Sequence, residues 1–421
     1  MSNPLSSVST GALAGKIFEC SVANREWRPD VLRELTRRAV SENPEIAKAA
    51  NRTFFREVVE RNCDLFDPTA TEGYARLFAH VIAQVLPQYS AAELLLRYRR
   101  VRQVSRYTGE PKRVCVLSRV TLGADVAVTS VVLSAAKRRF PAAEICFVGP
   151  AKNAELFSGD TAIIPLPVAY GRSGLLRERL MASEALRDAV DSPGTLIIDP
   201  DSRLTQLGLV PICDEDRYLF FESRAYGGDS DKTLTELTTE WIGETLGIDD
   251  AEPYLAPPVS EPDCDITISL GVGENQEKLV GPELEYRAVE KLVSLGASVL
   301  IDRGGGGEEA VRVEALADRL GRPANLRLHD GSFAAFADRI ARSKLYFGYD
   351  SAGQHVAAAS AVPLVTVFAG YAAELTFERW KPSGRGPIHI IKVDPVLGKP
   401  GAIIDRALAA VTSAAGEAGL S

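Results

Sequence analysis

The chain has 421 residues, 46% hydrophobic and 25% charged, with 48 Lys and Arg against 56 Asp and Glu for a net charge of −8. That length exceeds one typical core and predicts two large units plus an appendage. The composition excludes a disordered chain, and the acidic balance excludes nucleic acid as the principal partner, because binding a phosphate backbone needs a basic face.

Residues 1–108 read as an all-α extension. Apolar residues recur at helical spacing over Arg28 to Val40, Pro44 to Asn62, Thr71 to Leu86 and Ser90 to Val104, with no strand-like alternation. The last of these helices carries Arg97, Arg99, Arg100, Arg102 and Arg106. A solvated helix face explains these charges; contact with an acidic membrane surface or a partner protein is the functional alternative. The six cysteines are scattered, without a Cys-x-x-Cys pair, and read as free thiols of a cytoplasmic protein.

From Arg113 short apolar strands alternate with amphipathic helices. Strands are predicted at Val114–Ser118, Ile145–Val148, Ala162–Leu166, Leu196–Ile198 and Tyr218–Phe221, with helices at Asp125–Phe140, Leu175–Val190 and Leu234–Leu246. This alternation predicts a parallel sheet with right-handed crossovers over 109–248. Residues 249–264 hold four prolines and no periodicity, as a domain linker does. The α/β pattern restarts over 265–398, with strands at Ile266–Leu270, Ser298–Ile301, Asn325–Leu328, Leu345–Gly348, Leu364–Phe368 and His389–Val393. Ser332 is placed to cap the helix at Phe333–Ala341, and Gly296 and Gly321 to end the helices before them. A last helix falls within 399–421. Two such domains facing one another put their strand ends on either side of a cleft, where ligands of these folds bind. Neither G-x-G-x-x-G after a strand nor G-x-x-x-x-G-K-[ST] occurs.

Three stretches combine residue types that suit an anionic ligand. Asp350, Ser351, Ala352, Gly353, Gln354 and His355 form a polar turn between a buried strand and a small-residue helix, where unpaired N–H groups favour negative charge. Gly271, Gly273, Asn275 and Lys278 follow the first strand of the second α/β unit, and backbone N–H groups plus an ammonium suit a diphosphate. The run from Asp302 to Glu308, with four consecutive glycines, repeats the arrangement one strand later. Each reads equally as an ordinary loop. Asp125, at the top of the first strand of the first unit, reads as a proton acceptor in a cleft or as a helix-start residue. Arg172 and Arg179 after the third strand, and Asp201, Arg203 and Gln206 after the fourth, are the acceptor-side candidates.

Gly123 to Pro141, with Asp125, Thr129, Lys137 and Pro141, resembles the pattern G-D-V-x-x-T-x-P-x-x-x-x-x-K-x-x-x-P of the lipopolysaccharide heptosyltransferase-like glycosyltransferases. Asp350-Ser351-x-x-x-His355, then Pro363, Phe368 and Trp380-Lys-Pro-Ser-Gly384, resembles their D-[ST]-G-x-x-H-x-x-A-A-x-x-x-P motif and its sequel. The resemblance implies a GT-B fold, two doubly wound Rossmann-like domains facing a cleft. It further implies a nucleoside-diphosphate-sugar donor held by the second domain, and a glycan, lipid-linked or protein acceptor. No cofactor or metal is implied, and transfer proceeds with inversion. Asp125 falls on the family's base, Lys278 on its diphosphate-binding lysine, and Asp350 to His355 on its phosphate-contacting turn. This chain departs in placing Ala124 between Gly123 and Asp125, and Ala352 where the family has glycine. Those departures leave room for the alternative of a nucleotide-sugar-binding or regulatory protein with a degenerate catalytic site.

Overall fold

The computed structural model describes residues 5–171, 174–260, 262–273, 275–394 and 400–420. The extension comprises α1 (Thr10–Val22), α2 (Pro29–Ala39), α3 (Pro44–Phe54), α4 (Arg61–Cys63), α5 (Pro68–Val85) and α6 (Ala91–Val101). A π-helical stretch, Phe55–Glu60, joins α3 to α4. Side-chain oxygens of Ser9, Asn43 and Asp67 accept from backbone N–H groups at the starts of α1, α3 and α5. Helix α1 escaped sequence reading because Gly11, Gly15 and scattered polar residues blur its apolar face.

The first α/β domain has β1 (Arg113–Leu117), α7 (Leu122–Ala124), α8 (Ser130–Arg139), β2 (Glu144–Gly149), α9 (Ala151–Ala154), β3 (Ile163–Pro167), α10 (Leu176–Val190), β4 (Thr195–Asp199), β5 (Tyr218–Phe220) and α11 (Leu234–Leu246). Its sheet is parallel, in the order β3-β2-β1-β4-β5. The second has β6 (Ile266–Ser269), α12 (Pro282–Ser294), β7 (Val299–Asp302), α13 (Gly307–Arg319), β8 (Leu326–His329), α14 (Phe333–Arg342), β9 (Leu345–Tyr349), α15 (Ala352–Ala359), β10 (Leu364–Phe368), α16 (Glu374–Trp380), β11 (Ile388–Lys392) and α17 (Pro400–Glu417). Its sheet is also parallel, in the order β11-β10-β9-β6-β7-β8. Strands β4, β9 and β10 are buried along their whole length, as strands covered on both faces must be. Ser332 caps α14, and Gly296 and Gly321 take left-handed φ of 76° and 74° just past α12 and α13.

Strand order reverses between β1 and β4 in one sheet and between β6 and β9 in the other. Those switch points open crevices at the carboxyl ends of the strands. The segments that line them are 118–121 and 200–208 in the first domain, and 270–273, 275–281 and 350–351 in the second.

The extension is built into the molecule. One apolar core joins residues of α1 to α6 with one face of the first sheet, and the core on the other face continues into Phe336, Tyr346 and Val356 of the second domain. Of the arginines of α6 and the segment after it, Arg99, Arg100 and Arg106 are exposed, as a solvated face has them, while Arg97 is turned inward. Arg97 is 6% exposed; its Nη1 donates to Gly208 O at 2.8 Å and its guanidinium lies 4.8 Å from the Tyr218 ring. Arg99 and Arg102 pair with Glu72, Arg102 also with Glu222, Arg100 pairs with Glu215, and Arg106 donates to Gly243 O. The contacts of Arg97, Arg100, Arg102 and Arg106 with Gly208, Glu215, Glu222 and Gly243 hold the extension against the first domain, and the pairs with Glu72 of α5 lie within the extension. Among the described residues no helix is long and apolar enough to cross a membrane.

Candidate functional site

Strands β1 and β9 end opposite one another. A Cβ added to Gly123 would meet Ala352 Cα at 3.3 Å and the His355 ring at 3.4 Å, so the two walls approach as closely as bare backbone permits. Farther out, Arg379 of α16, 1% exposed, donates to the carbonyls of Gly228, Ser230 and Lys232 in the first domain. Thr376 donates to Asp64 O of the extension, and Trp380 meets Phe66 edge-on at 6.2 Å. The cleft is therefore closed on three elements.

On the second-domain wall, Lys278 Nζ lies 2.5 Å from Asp350 Oδ2 and 3.1 Å from Asp350 O. An ammonium carries three N–H donors, so one remains for a ligand. Gly370, at φ +64°, presses its backbone onto the turn that carries this lysine: a Cβ there would meet Glu277 C at 2.6 Å. Sequence reading missed Gly370, which no motif marks. The hydroxyl of Ser351 is buried, has no hydrogen-bond partner, and does not cap α15. It lies at the start of α15, whose first N–H groups are further donors, and near the buried Tyr346 hydroxyl. Burial pushes the His355 imidazole down to about 4, with Asp350 opposing and Lys278 assisting, so it is neutral at physiological pH.

Other expected donor contacts serve the protein itself. Gln354 is fully buried: Nε2 donates to Asp350 Oδ1 at 2.6 Å and to Trp380 O at 3.2 Å, while Oε1 accepts from Thr366. Asn275 accepts from Glu277 N and donates to Gly370 O, fixing the lysine turn. The Tyr346 hydroxyl lies under Gly353, leaving no space for a side chain there. Gly271 faces the Glu309 carboxylate, whose pKa burial and the nearby Asp302 raise. Gly273, at φ +60°, has open space before it.

On the first-domain wall, Asp125 is 0% exposed. Its Oδ1 accepts from Arg119 N and Thr129 Oγ1, each at 2.7 Å; its Oδ2 accepts from Ser118 Oγ and Asn153 Nδ2, each at 2.6 Å. Burial raises its pKa and these four bonds oppose the rise. A carboxylate with four bonds has filled its four lone-pair sites. As placed, Asp125 anchors the β1 loop, and taking a substrate proton requires one of these four bonds to be given up. That loop is strained. Val120 takes φ +62°, disfavoured for a β-branched residue by about 1–3 kcal/mol. Its neighbour Arg119 donates to Pro200 O and Ser223 Oγ, and the guanidinium lies 5.9 Å from the Trp380 ring across the cleft.

The acceptor-side candidates divide. Asp201, at φ +68° and 2% exposed, pairs with Arg224 at 3.0 Å. Gln206 is 1% exposed and donates to Arg179 O, while Arg179 stacks 3.6 Å over Phe55 of the extension. These three are structural contacts. Arg203 is half-buried and, among the described residues, makes no side-chain hydrogen bond or ion pair. Arg172 lies outside the described residues.

No family model matches the sequence, and no curated protein matches it. Among solved structures the chain is similar to the glycosyl transferase family 9 protein of Veillonella parvula DSM 2008, with 15% identity, 74% of this chain and 99% of that chain covered, and a TM-score of 0.52. It is similar to E. coli heptosyltransferase WaaC with ADP-2-deoxy-2-fluoro heptose, with 15% identity, 72% and 99% coverage, and a TM-score of 0.52. The same enzyme with ADP gives 14% identity, 70% and 98% coverage, and a TM-score of 0.53. The shared property is the fold: two parallel-sheet domains in the GT-B arrangement, with roughly a quarter of this chain outside the match.

Proposed function

We propose that this protein is a glycosyltransferase that takes a sugar from a nucleoside-diphosphate donor and passes it, with inversion and without a bound metal, to a hydroxyl of a glycan, lipid-linked or protein acceptor. One observation carries the reading: the walls meet at Gly123 and Ala352, where the start of α15, the Ser351 hydroxyl and Lys278 converge. That donor set suits the charge that develops on a departing diphosphate, and preorganised donors of this kind are a large source of rate. The fold shared with enzymes solved with ADP and an ADP-sugar analogue supports the nucleotide class. Titration with a panel of nucleoside diphosphates tests the donor half. Binding that weakens at least tenfold in Lys278→Ala supports it, and binding unaffected by that change sinks it. Release of nucleoside diphosphate from the matching nucleotide sugar, undiminished in EDTA, tests transfer and metal independence.

The saturated Asp125 favours a second reading, a nucleotide-sugar-binding protein without turnover. Tight nucleotide binding with no sugar transferred to a broad acceptor panel supports that reading; any transfer dependent on this cleft removes it.

A further inference from the structure

The extension meets the first domain beside the cleft, and the polar groups gathered there are not all used. Tyr74 of α5 is 1% exposed and its hydroxyl has no hydrogen-bond partner. The Arg224 guanidinium lies 5.1 Å from the Tyr74 ring; Nε pairs with Asp201, and Nη1 is buried without a partner. Arg203, on the short helical turn Arg203–Thr205 after β4, makes no side-chain hydrogen bond or ion pair among the described residues. Tyr74 and Arg203 lie close enough for the charge of each to act on the other, with Tyr170, the Cys63 thiol and the Glu60 carboxylate also in range, the last without an ion pair to Arg203. Arg119 joins this cluster to the cleft, reaching Pro200 O and Ser223 Oγ on one side and Trp380 on the other. Among the described residues, Arg119, Arg203 and Arg224 make a single ion pair between them, the one from Arg224 to Asp201.

Folding leaves a buried donor unpaired only at a cost of about 1–3 kcal/mol each. Two such donors beside an unpaired guanidinium therefore point to a missing acceptor rather than to packing. The acceptor must be anionic, because Arg203 and Arg224 Nη1 offer only N–H groups and positive charge. It must also offer several oxygens, because donors approach from α5, from the loop after β4 and from the loop after β5.

We propose that this junction binds a carboxylate or phosphate group of the sugar acceptor, with Arg203, Arg224 and Tyr74 as its donors, so that the helical extension forms one wall of the acceptor site. The assignment of the anion to an acceptor rests on the reading of the cleft as a transfer site. It gives the extension a recognition role that the two Rossmann-like domains alone do not supply.

Calorimetric titration of the full chain with glucuronate, glucose 6-phosphate and glucose tests the proposal, each run with and without a saturating nucleoside diphosphate. At least one anionic sugar is expected to bind and glucose is not; which of the two binds tells carboxylate from phosphate. Arg203→Gln is expected to weaken that binding at least tenfold and Tyr74→Phe about threefold, with nucleotide affinity unchanged. Tyr74→Phe removes an unpartnered hydroxyl, so the ligand-free variant is expected to unfold no earlier than the parent. The proposal is overturned if neither anion binds the parent, if Arg203→Gln binds as tightly, or if the nucleotide displaces the anion completely. Arg203-dependent anion binding without any nucleotide binding would refute the transfer reading and leave the anion site standing. Nucleotide binding without it would do the reverse.

Discussion

Replacing Asp125 by asparagine separates an anchor from a base. The amide keeps one oxygen, which can serve two of the four donors, Arg119 N, Thr129 Oγ1, Ser118 Oγ and Asn153 Nδ2. The other two then face an NH₂ group. Hydrogen bonds to a charged acceptor are worth about 1.5–3 kcal/mol each, so losing two costs about 3–6 kcal/mol. Removing a buried charge returns part of this, since desolvation already raises the carboxyl's pKa. A net loss of about 2–4 kcal/mol is expected, read as a lower midpoint of the first transition in denaturant unfolding. The β1 loop should loosen with it, so protease cleavage near 118–125 should appear in the variant under native conditions. If Asp125→Asn unfolds at the parental midpoint while turnover on an identified substrate falls a hundredfold or more, the anchor reading is wrong and Asp125 is the base.

Other outcomes follow from the same contacts. His355, pushed down to about 4 from an ordinary 6.5, contributes stability that is complete above about 6.5 and is lost as pH falls toward 4, about 3 kcal/mol in all. Asp199, pushed up to about 6 by burial, acts with the opposite sign: its contribution grows as pH falls from 6 toward its unfolded value near 4. The parent should therefore show a flat profile over this window and His355→Gln a rising one on acidification; parallel profiles from denaturant titrations at pH 7, 5.5 and 4 would exclude the assignment. Arg97→Ala removes the bond to Gly208 O and the contact with the Tyr218 ring, and should cost about 2 kcal/mol and expose the extension to limited proteolysis before the rest of the chain. A digestion pattern unchanged from the parent would show that α6 is held by its apolar face alone. Gly123→Ala should weaken nucleotide binding by moving the walls apart by a few tenths of an ångström, and an unchanged affinity would show that α15 yields freely.

The architecture was legible because its signals are local. Strand-helix alternation announces parallel sheets, and Ser332, Gly296 and Gly321 announce helix ends through the φ and donors of their immediate neighbours. The division of labour inside the site was not legible. Gln354 and Asn275 have ligand-like side chains, yet their partners are Trp380 and Gly370, placed beside them only because the segments after β6, β9 and β10 emerge at the same end of one parallel sheet. Arg97 reads as surface for the same reason: Gly208, whose carbonyl it reaches, lies more than a hundred positions away. Arg203 shows the converse, a residue with ordinary flanking sequence whose side chain makes no hydrogen bond or ion pair among the described residues.

The meeting of Gly123 with Ala352 makes the absence of a methyl a property of position 123 alone. The resembled motifs carry glycine on both sides, and this chain keeps the one at 123 and has alanine at 352. A side chain at 123 would meet the Cα and N of residue 352 and the His355 ring, atoms that remain when the Ala352 methyl is removed. The double variant Gly123→Ala with Ala352→Gly should thus bind nucleotide no better than Gly123→Ala alone, which leaves the width of the gap to the backbone of α15 rather than to its side chains.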